Sequence, residues 1–232
     1  MKKTVSIVMP AYQNERKIEK IVRDFHTQII KKLPGSEFII TEDGSTDKTR
    51  DILKKIKKQL KLRLILGKER KGYTKAVKEA FSFANKDLIF LSDSDGEHNP
   101  KDFWKLYDTM QKTDADIVIG FKQKRRPLYR LFISRVNNAI IGVLFKVWLH
   151  DANCGFRLAK REAAKGIMPN TGTLNSAFNA EFMIRAKYKG YAYAEVPVSH
   201  KPVPSKVFSP WKLPITILKE LKRLLKLKRE LP

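Results

Sequence analysis

Phe90-Leu91-Ser92-Asp93-Ser94-Asp95-Gly96-Glu97-His98 carries an apolar strand into two carboxylates placed one residue apart. Alternation along a strand points Asp93 and Asp95 to the same side, and Gly96 permits a turn that returns Glu97 toward the same point. Such a grouping suits a hard divalent cation, magnesium or manganese, which takes oxygen ligands and keeps places for water and substrate phosphates. An acidic turn closing a strand uses the same residues, so the choice rests on what surrounds them.

Upstream, Val5-Ser6-Ile7-Val8-Met9-Pro10 is a β-rich run stopped by proline, followed by a loop through Glu15 and a helical stretch from Arg16 to about Lys32. Phe38-Ile39-Ile40-Thr41 is a second buried strand ending in Glu42-Asp43-Gly44-Ser45-Thr46-Asp47, before a helix from Lys48 to Gln59 that Ser45 or Asp47 caps. Leu62 to Leu66 is a third strand, Lys71-Gly72-Tyr73-Thr74 opens a helix to about Asn85, and Leu88 to Leu91 is the fourth strand. Strands alternating with helices imply an α/β fold of parallel βαβ units with right-handed crossovers. Open sheets of this kind bind ligands at the carboxyl ends of their strands. Two acidic strand ends on that edge favour a nucleotide and metal site over a decorative turn.

The ordered set Val8-Met9-Pro10-Ala11-Tyr12 with Glu15, Glu42 to Asp47, Asp93 to His98, Asp116-Ile117-Val118-Ile119-Gly120, Asp151-Ala152-Asn153-Cys154-Gly155-Phe156-Arg157 and Glu195-Val196-Pro197-Val198 resembles the nucleotide-sugar-dependent, inverting glycosyltransferases of family 2. The resemblance runs from Val5 to about Lys206 and is strongest to the polyprenyl-phosphate sugar synthases, the group of dolichol-phosphate mannose synthase. It implies a GT-A, Rossmann-like, mostly parallel sheet flanked by helices. It also implies that Pro10, Tyr12, Glu15 and Asp43 line the nucleotide pocket, with Glu42 at the place of a common aspartate. Asp93 and Asp95 then hold Mg2+ or Mn2+ against the donor diphosphate, with Glu97 where a glutamine is common. Lys201, Ser205 and Lys206 fall where the family carries a basic loop over the diphosphate. Gln13-Asn14 lengthens the loop before Glu15, and Cys154 stands where serine is frequent.

The acceptor decides the mechanism. A hydroxyl acceptor needs a general base near the anomeric carbon, whereas a lipid phosphate is already ionised and needs cations and hydroxyls to hold it. Arg130 and Ser134 share a helical face at i, i+4 spacing, and in the resembling synthases Lys122, Arg130 and Ser134 correspond to the groups on the acceptor phosphate. Lys122 to Arg126 also reads as a solvated basic loop. Asp151 reads either as the base of a hydroxyl-glycosylating relative or as a carboxylate orienting Arg157 and the acceptor loop. Glu181 and Arg185, one turn apart, read as a surface pair worth about 0.3–0.5 kcal/mol.

The formal charge is +24, from 48 basic and 24 acidic residues. Nucleic acid would meet such a charge, yet helix-turn-helix, zinc-finger and aromatic RNA-binding patterns are absent, so no nucleic-acid partner is expected. Lys212 to Leu231 reads as a basic amphipathic helix with Ile217, Leu218, Leu221, Leu224 and Leu225 on one face and Lys219, Lys222, Arg223, Lys226, Arg229 and Glu230 on the other. Such a helix lies on an anionic membrane surface, each basic residue adding about 1 kcal/mol; packing on the domain is the plainer use. Ala139 to Leu149 is apolar but shorter than the ~20 residues that cross a bilayer, and suits an interfacial, core or homodimer helix. The division expected is a catalytic domain over 1–210 and a helical tail over 211–232. With no signal-peptide pattern in Met1 to Pro10 and a single cysteine, Cys154, the expectation is a peripheral enzyme without a transmembrane helix, on the cytoplasmic face of the membrane. A glycan or lipid hydroxyl acceptor, and a non-enzymatic basic binding module, remain as alternatives.

Overall fold

A computed structural model describes residues 2–122, 128–174, 177–201 and 213–231, with the backbone alone for 128–130, 132, 213–217 and 219. Ser205, Lys206 and residues 123–127 lie outside the described residues, as does the side chain of Arg130.

Among the described residues, seven strands form one sheet in the order β3-β2-β1-β4-β6-β5-β7. β1 (Val5–Ala11), β2 (Glu37–Glu42), β3 (Arg63–Leu66) and β4 (Leu88–Leu91) are mutually parallel where they pair. β6 (Arg157–Lys160) runs antiparallel between β4 and β5 (Ile117–Lys122), and β7 (Tyr193–Val198) is parallel to β5. Every residue of β1 is buried, as expected for a central strand covered on both faces. Chain order runs outward from β1 to β3 and then returns to β4 on the other side of β1, which makes the β1–β4 junction the topological switch point where an open sheet binds ligands. Pairing there ends at Val8 with Leu91, so Pro10, which has no N–H to give, lies beyond that ladder and the two chains part.

α1 (Ile18–Gln28), α2 (Thr49–Leu60), α3 (Tyr73–Ser82) and α4 (Phe103–Thr113) are amphipathic, each burying an apolar stripe. The expected helix to Lys32 breaks at Ile29, and a 3-10 turn covers Ile30–Lys32. Asp47, not Ser45, closes the start of α2: its carboxylate accepts the Thr49 N–H at 3.0 Å, while the Ser45 hydroxyl accepts the Gln13 N–H. At the centre, the ring of Phe90 meets Phe156 at 4.8 Å and Phe103 at 5.0 Å, both edge-on.

Downstream lie α5 (Leu128–Phe145), α6 (Arg161–Ile167), α7 (Phe178–Tyr188) and α8 (Leu213–Glu230). The Glu181–Arg185 pair on α7 is not on the surface: the two residues are 0% and 7% exposed. The Glu181 carboxylate accepts the N–H groups of Gly172, Thr173 and Leu174 and the Arg185 guanidinium at 2.8 Å, and Arg185 also reaches Glu230 of α8 at 3.0 Å. Helical spacing had revealed the pair but not the loop that folds over it. On α8, Leu224 and Leu227 are buried while Leu218 and Leu225 are exposed, so the packed stripe is rotated from the one the sequence suggested, and Glu230 faces the protein.

Removing one partner of a buried, hydrogen-bonded ion pair costs about 3–5 kcal/mol. Glu181→Ala should therefore lower the unfolding free energy in urea by that amount, against less than about 1 kcal/mol for Lys20→Ala, whose Asp24 pair is exposed. Equal costs would refute the assignment.

Candidate active site

A cavity of about 490 Å³ opens at the β1–β4 junction, lined by Pro10, Tyr12, Asp43, Asp93 and Asp95 among the residues singled out from sequence. Asn14, Lys17, Arg70 and Tyr73 also line it; none of these four was expected there. Lys17 and Tyr73 stand at the starts of α1 and α3, on the carboxyl edge of the sheet, and that topology is the one clue the sequence offered for them.

Strand alternation does not bring Asp93 and Asp95 together, because β4 stops at Leu91. A bend does so: Ser92 donates its N–H to the Val8 carbonyl at 3.1 Å, and Gly96 takes a positive φ of 77°, a conformation that suits glycine. The Asn14 amide fastens this bend by donating to the Ser94 carbonyl, while the Asn14 N–H donates to the Thr49 hydroxyl at 2.7 Å. Asp43 accepts the N–H groups of Lys71 and Gly72 at 2.7 and 2.9 Å, which sets the start of α3 and aims Tyr73 inward. The Tyr73 hydroxyl donates to Asp93 Oδ1 at 2.7 Å.

Burial pushes the Asp93 carboxyl up, against the Tyr73 hydrogen bond and the charges of Lys122 and Arg157. Asp95 is raised from its ordinary 3.8 to about 6 by burial and then by the charge of Asp93. Two crowded carboxylates facing one cavity fit a divalent cation that relieves their repulsion. Among the described residues, no group of three His, Cys, Asp or Glu gathers as a ready metal cage. The donor set therefore suits an ion completed by diphosphate oxygens and water, as magnesium and manganese are. Beside it, the Arg70 guanidinium lies 4.4 Å from the centre of the Tyr12 ring, and Lys17 adds a second cation to the wall.

Other expected residues lie elsewhere. Glu97 does not join Asp93 and Asp95 on the cavity wall: its carboxylate accepts Lys122 Nζ at 2.6 Å and lies 3.2 Å from His200 Nε2. Lys122 is held there with its side chain only 10% exposed. Burial pulls its ammonium down, but the hydrogen bond and charge of Glu97 outweigh this and leave it raised. Glu42 is fully buried off the wall, paired with Arg50 at 2.9 Å, so it holds the loop after β2 and does not face a ligand. Glu15 is exposed and accepts the Lys48 N–H at 3.0 Å, tying α1 to α2. Lys201 is exposed, its N–H donating to the Glu97 carbonyl at 2.8 Å. Asp151 is buried and off the wall, where its charge reaches Cys154 and Arg157. The Arg157 guanidinium donates to the carbonyls of Cys154 and Asn179. Burial pushes the Cys154 thiol up to about 12, so it is no nucleophile. Ser134 lies half-buried on α5.

The sheet order and its ligand edge define a GT-A-like α/β protein. Residues 6–168 match the family described as glycosyl transferase family 2, and the chain belongs to that family. It is 28% identical over 206 residues to glycosyltransferase AglD of Haloferax volcanii, covering 85% of this chain but only 33% of the relative, so it spans a third of that protein. It is 27% identical over 239 residues to a dolichyl-phosphate beta-glucosyltransferase of Dictyostelium discoideum, covering 95% of this chain and 73% of the relative. The crystal structure of glucosyl-3-phosphoglycerate synthase from Mycobacterium tuberculosis, in complex with Mn2+, UDP and phosphoglyceric acid, shares the fold with a TM-score of 0.72 at 17% identity, over 97% of this chain and 78% of that one.

Between 3.8 and about 6, folded Asp95 binds more protons than unfolded Asp95, so its contribution to stability improves as pH falls through that window and is unfavourable above it. Metal-free Asp95→Asn should therefore melt above wild type at pH 7, with the gain vanishing near pH 4 in calorimetric scans. A variant that melts below wild type at pH 7 would contradict this.

Proposed function

We propose that the chain is an inverting glycosyltransferase that moves a sugar from a nucleotide-diphosphate donor, of the GDP-mannose or UDP-glucose type, to a polyprenyl phosphate. The observation that carries the reading is that Asp93 and Asp95 line one cavity of about 490 Å³ together with Lys17 and Arg70, at the sheet's switch point. The dolichyl-phosphate glucosyltransferase relative supports the acceptor, and the UDP and Mn2+ of the structural neighbour support the donor chemistry.

Asp93 and Asp95 would hold a Mg2+ or Mn2+ ion, which supplies Lewis-acid neutralisation of the departing diphosphate. Lys17 and Arg70 add fixed positive charge where negative charge accumulates on the leaving group, and Tyr12, backed by Arg70, offers a face for the base. A phosphate acceptor arrives ionised, so no residue has to remove a proton. It attacks the anomeric carbon from the side opposite the diphosphate, which inverts that centre. Arg130 and Ser134 on α5 are assigned to hold it. Lys122 serves only if the acceptor competes with Glu97 for it. The burial of Asp151 away from the cavity gives a hydroxyl acceptor and its base no support.

Among the described residues no helix is long and apolar enough to cross a membrane. Exposed Lys222, Arg223, Lys226 and Arg229 on α8, with Val143 and Trp148 near α5 at 72% and 64% exposure, support attachment to an anionic lipid surface. We place that surface on the cytoplasmic side, where the donor is available. The half of α8 that carries Leu224 and Leu227 stays on the body.

Transfer of radiolabelled sugar from UDP- and GDP-donors, with magnesium or manganese, should place label in an acid-labile lipid phosphate. Asp93→Ala should reduce it at least about a hundredfold, and Arg130→Ala should raise the acceptor KM while donor binding holds. Label found only in hydroxyl products, or full activity in Asp93→Ala, would overturn the reading.

A further inference from the structure

Tyr73 is the feature of the cavity wall for which the chemistry above has no use. Its ring packs edge-on against Phe178 of α7, with centroids 5.9 Å apart and planes at 69°, so the phenol has little freedom to swing. Its hydroxyl donates to Oδ1 of Asp93 at 2.7 Å. On the other side of the same carboxylate is Gly155, so close that a Cβ there would stand 2.2 Å from Oδ2. No side chain other than hydrogen fits at that position without pushing the carboxylate aside.

The two contacts divide the carboxylate. Oδ1 takes a hydrogen bond from a packed aromatic, and Oδ2 is seated against Gly155 in room that any larger residue would fill. A carboxylate bonded at one oxygen and confined at the other keeps a single orientation, which is how groups behind a metal ligand orient it. We propose that Tyr73 is a positioning residue which, with Gly155, fixes the orientation in which the Asp93 carboxylate meets the cation and diphosphate. The inference rests on the function proposed above, since it takes Asp93 to meet a metal-bound nucleotide. It adds what that reading leaves open: what holds Asp93 in its orientation. A purely structural Tyr73 would have its hydroxyl on Asp93 only because a buried phenol needs a partner; its loss would then alter melting and leave cation affinity alone.

The test is Mn2+ titration of the intact protein with UDP present, free Mn2+ being read by electron paramagnetic resonance, for wild type, Tyr73→Phe, Gly155→Ala and Asp93→Asn, all well below their melting temperatures. Tyr73→Phe keeps the ring on Phe178 and removes only the hydroxyl. It should weaken Mn2+ binding about tenfold or more while UDP binding in chelator stays at the wild-type level. Gly155→Ala should weaken it at least as much; if that variant fails to fold, Tyr73→Phe alone decides. Wild-type Mn2+ affinity in Tyr73→Phe, with affinity lost in Asp93→Asn, would overturn the positioning role and leave the proposed function standing. Wild-type affinity in Asp93→Asn would remove the metal site, and this inference with it.

Discussion

Two like charges held side by side in a partly dry cavity repel, and the sheet forces Asp93 and Asp95 into that position. β4 ends against Val8 of β1 and the chain must then bend away, because beyond that point β1 continues through Pro10 without a partner on that side. The bend is fastened by Asn14, and its first carboxylate is met by Tyr73. The charges of Lys122 and Arg157 partly offset the crowding at Asp93. Asp95 is pushed to about 6 by burial and then by the charge of Asp93, a repulsion that a bound cation would remove. The cavity's geometry and its charge both follow from that one junction.

A second polar system stands behind the first. Glu97, only two residues past Asp95, turns away to join Lys122 from β5 and His200 from beyond β7. It thereby closes the far half of the sheet onto the loop that carries the paired aspartates. Farther out, Glu181 gathers a loop, α7 and, through Arg185 and Glu230, the end of α8. Lys78 of α3 donates to the carbonyls of Pro169 and Thr171 at the edge of that same loop. The helix that begins at Tyr73 is thus braced both from the cavity and from the loop that Glu181 gathers.

The parallel half of the sheet was legible because its strands are short continuous apolar runs ended by Pro10 or by acidic residues, and such runs have one reading when they alternate with amphipathic helices. Asp93 and Asp95 were legible from spacing, although a bend rather than a pleat unites them. Glu42 was misread because its neighbour Asp43 faces the cavity, and nothing local says that Glu42 instead meets Arg50. The Glu97–Lys122 pair was hidden because one partner lies on the loop after β4 and the other at the end of β5, with α4 between them. The antiparallel insertion of β6 left no mark in Arg157–Lys160, whose pattern is that of any short strand. Leu227 lies one turn beyond Leu224, yet the packed edge of α8 depends on what α5 and α7 offer it.

A crystal structure of the protein grown with UDP and Mn2+ tests the central claim most directly. The account predicts an anomalous manganese peak bridging Asp93, Asp95 and the diphosphate, with Lys17 and Arg70 at the phosphates and the base beside Tyr12. Manganese bound away from these carboxylates, or UDP bound outside this cavity, would contradict it.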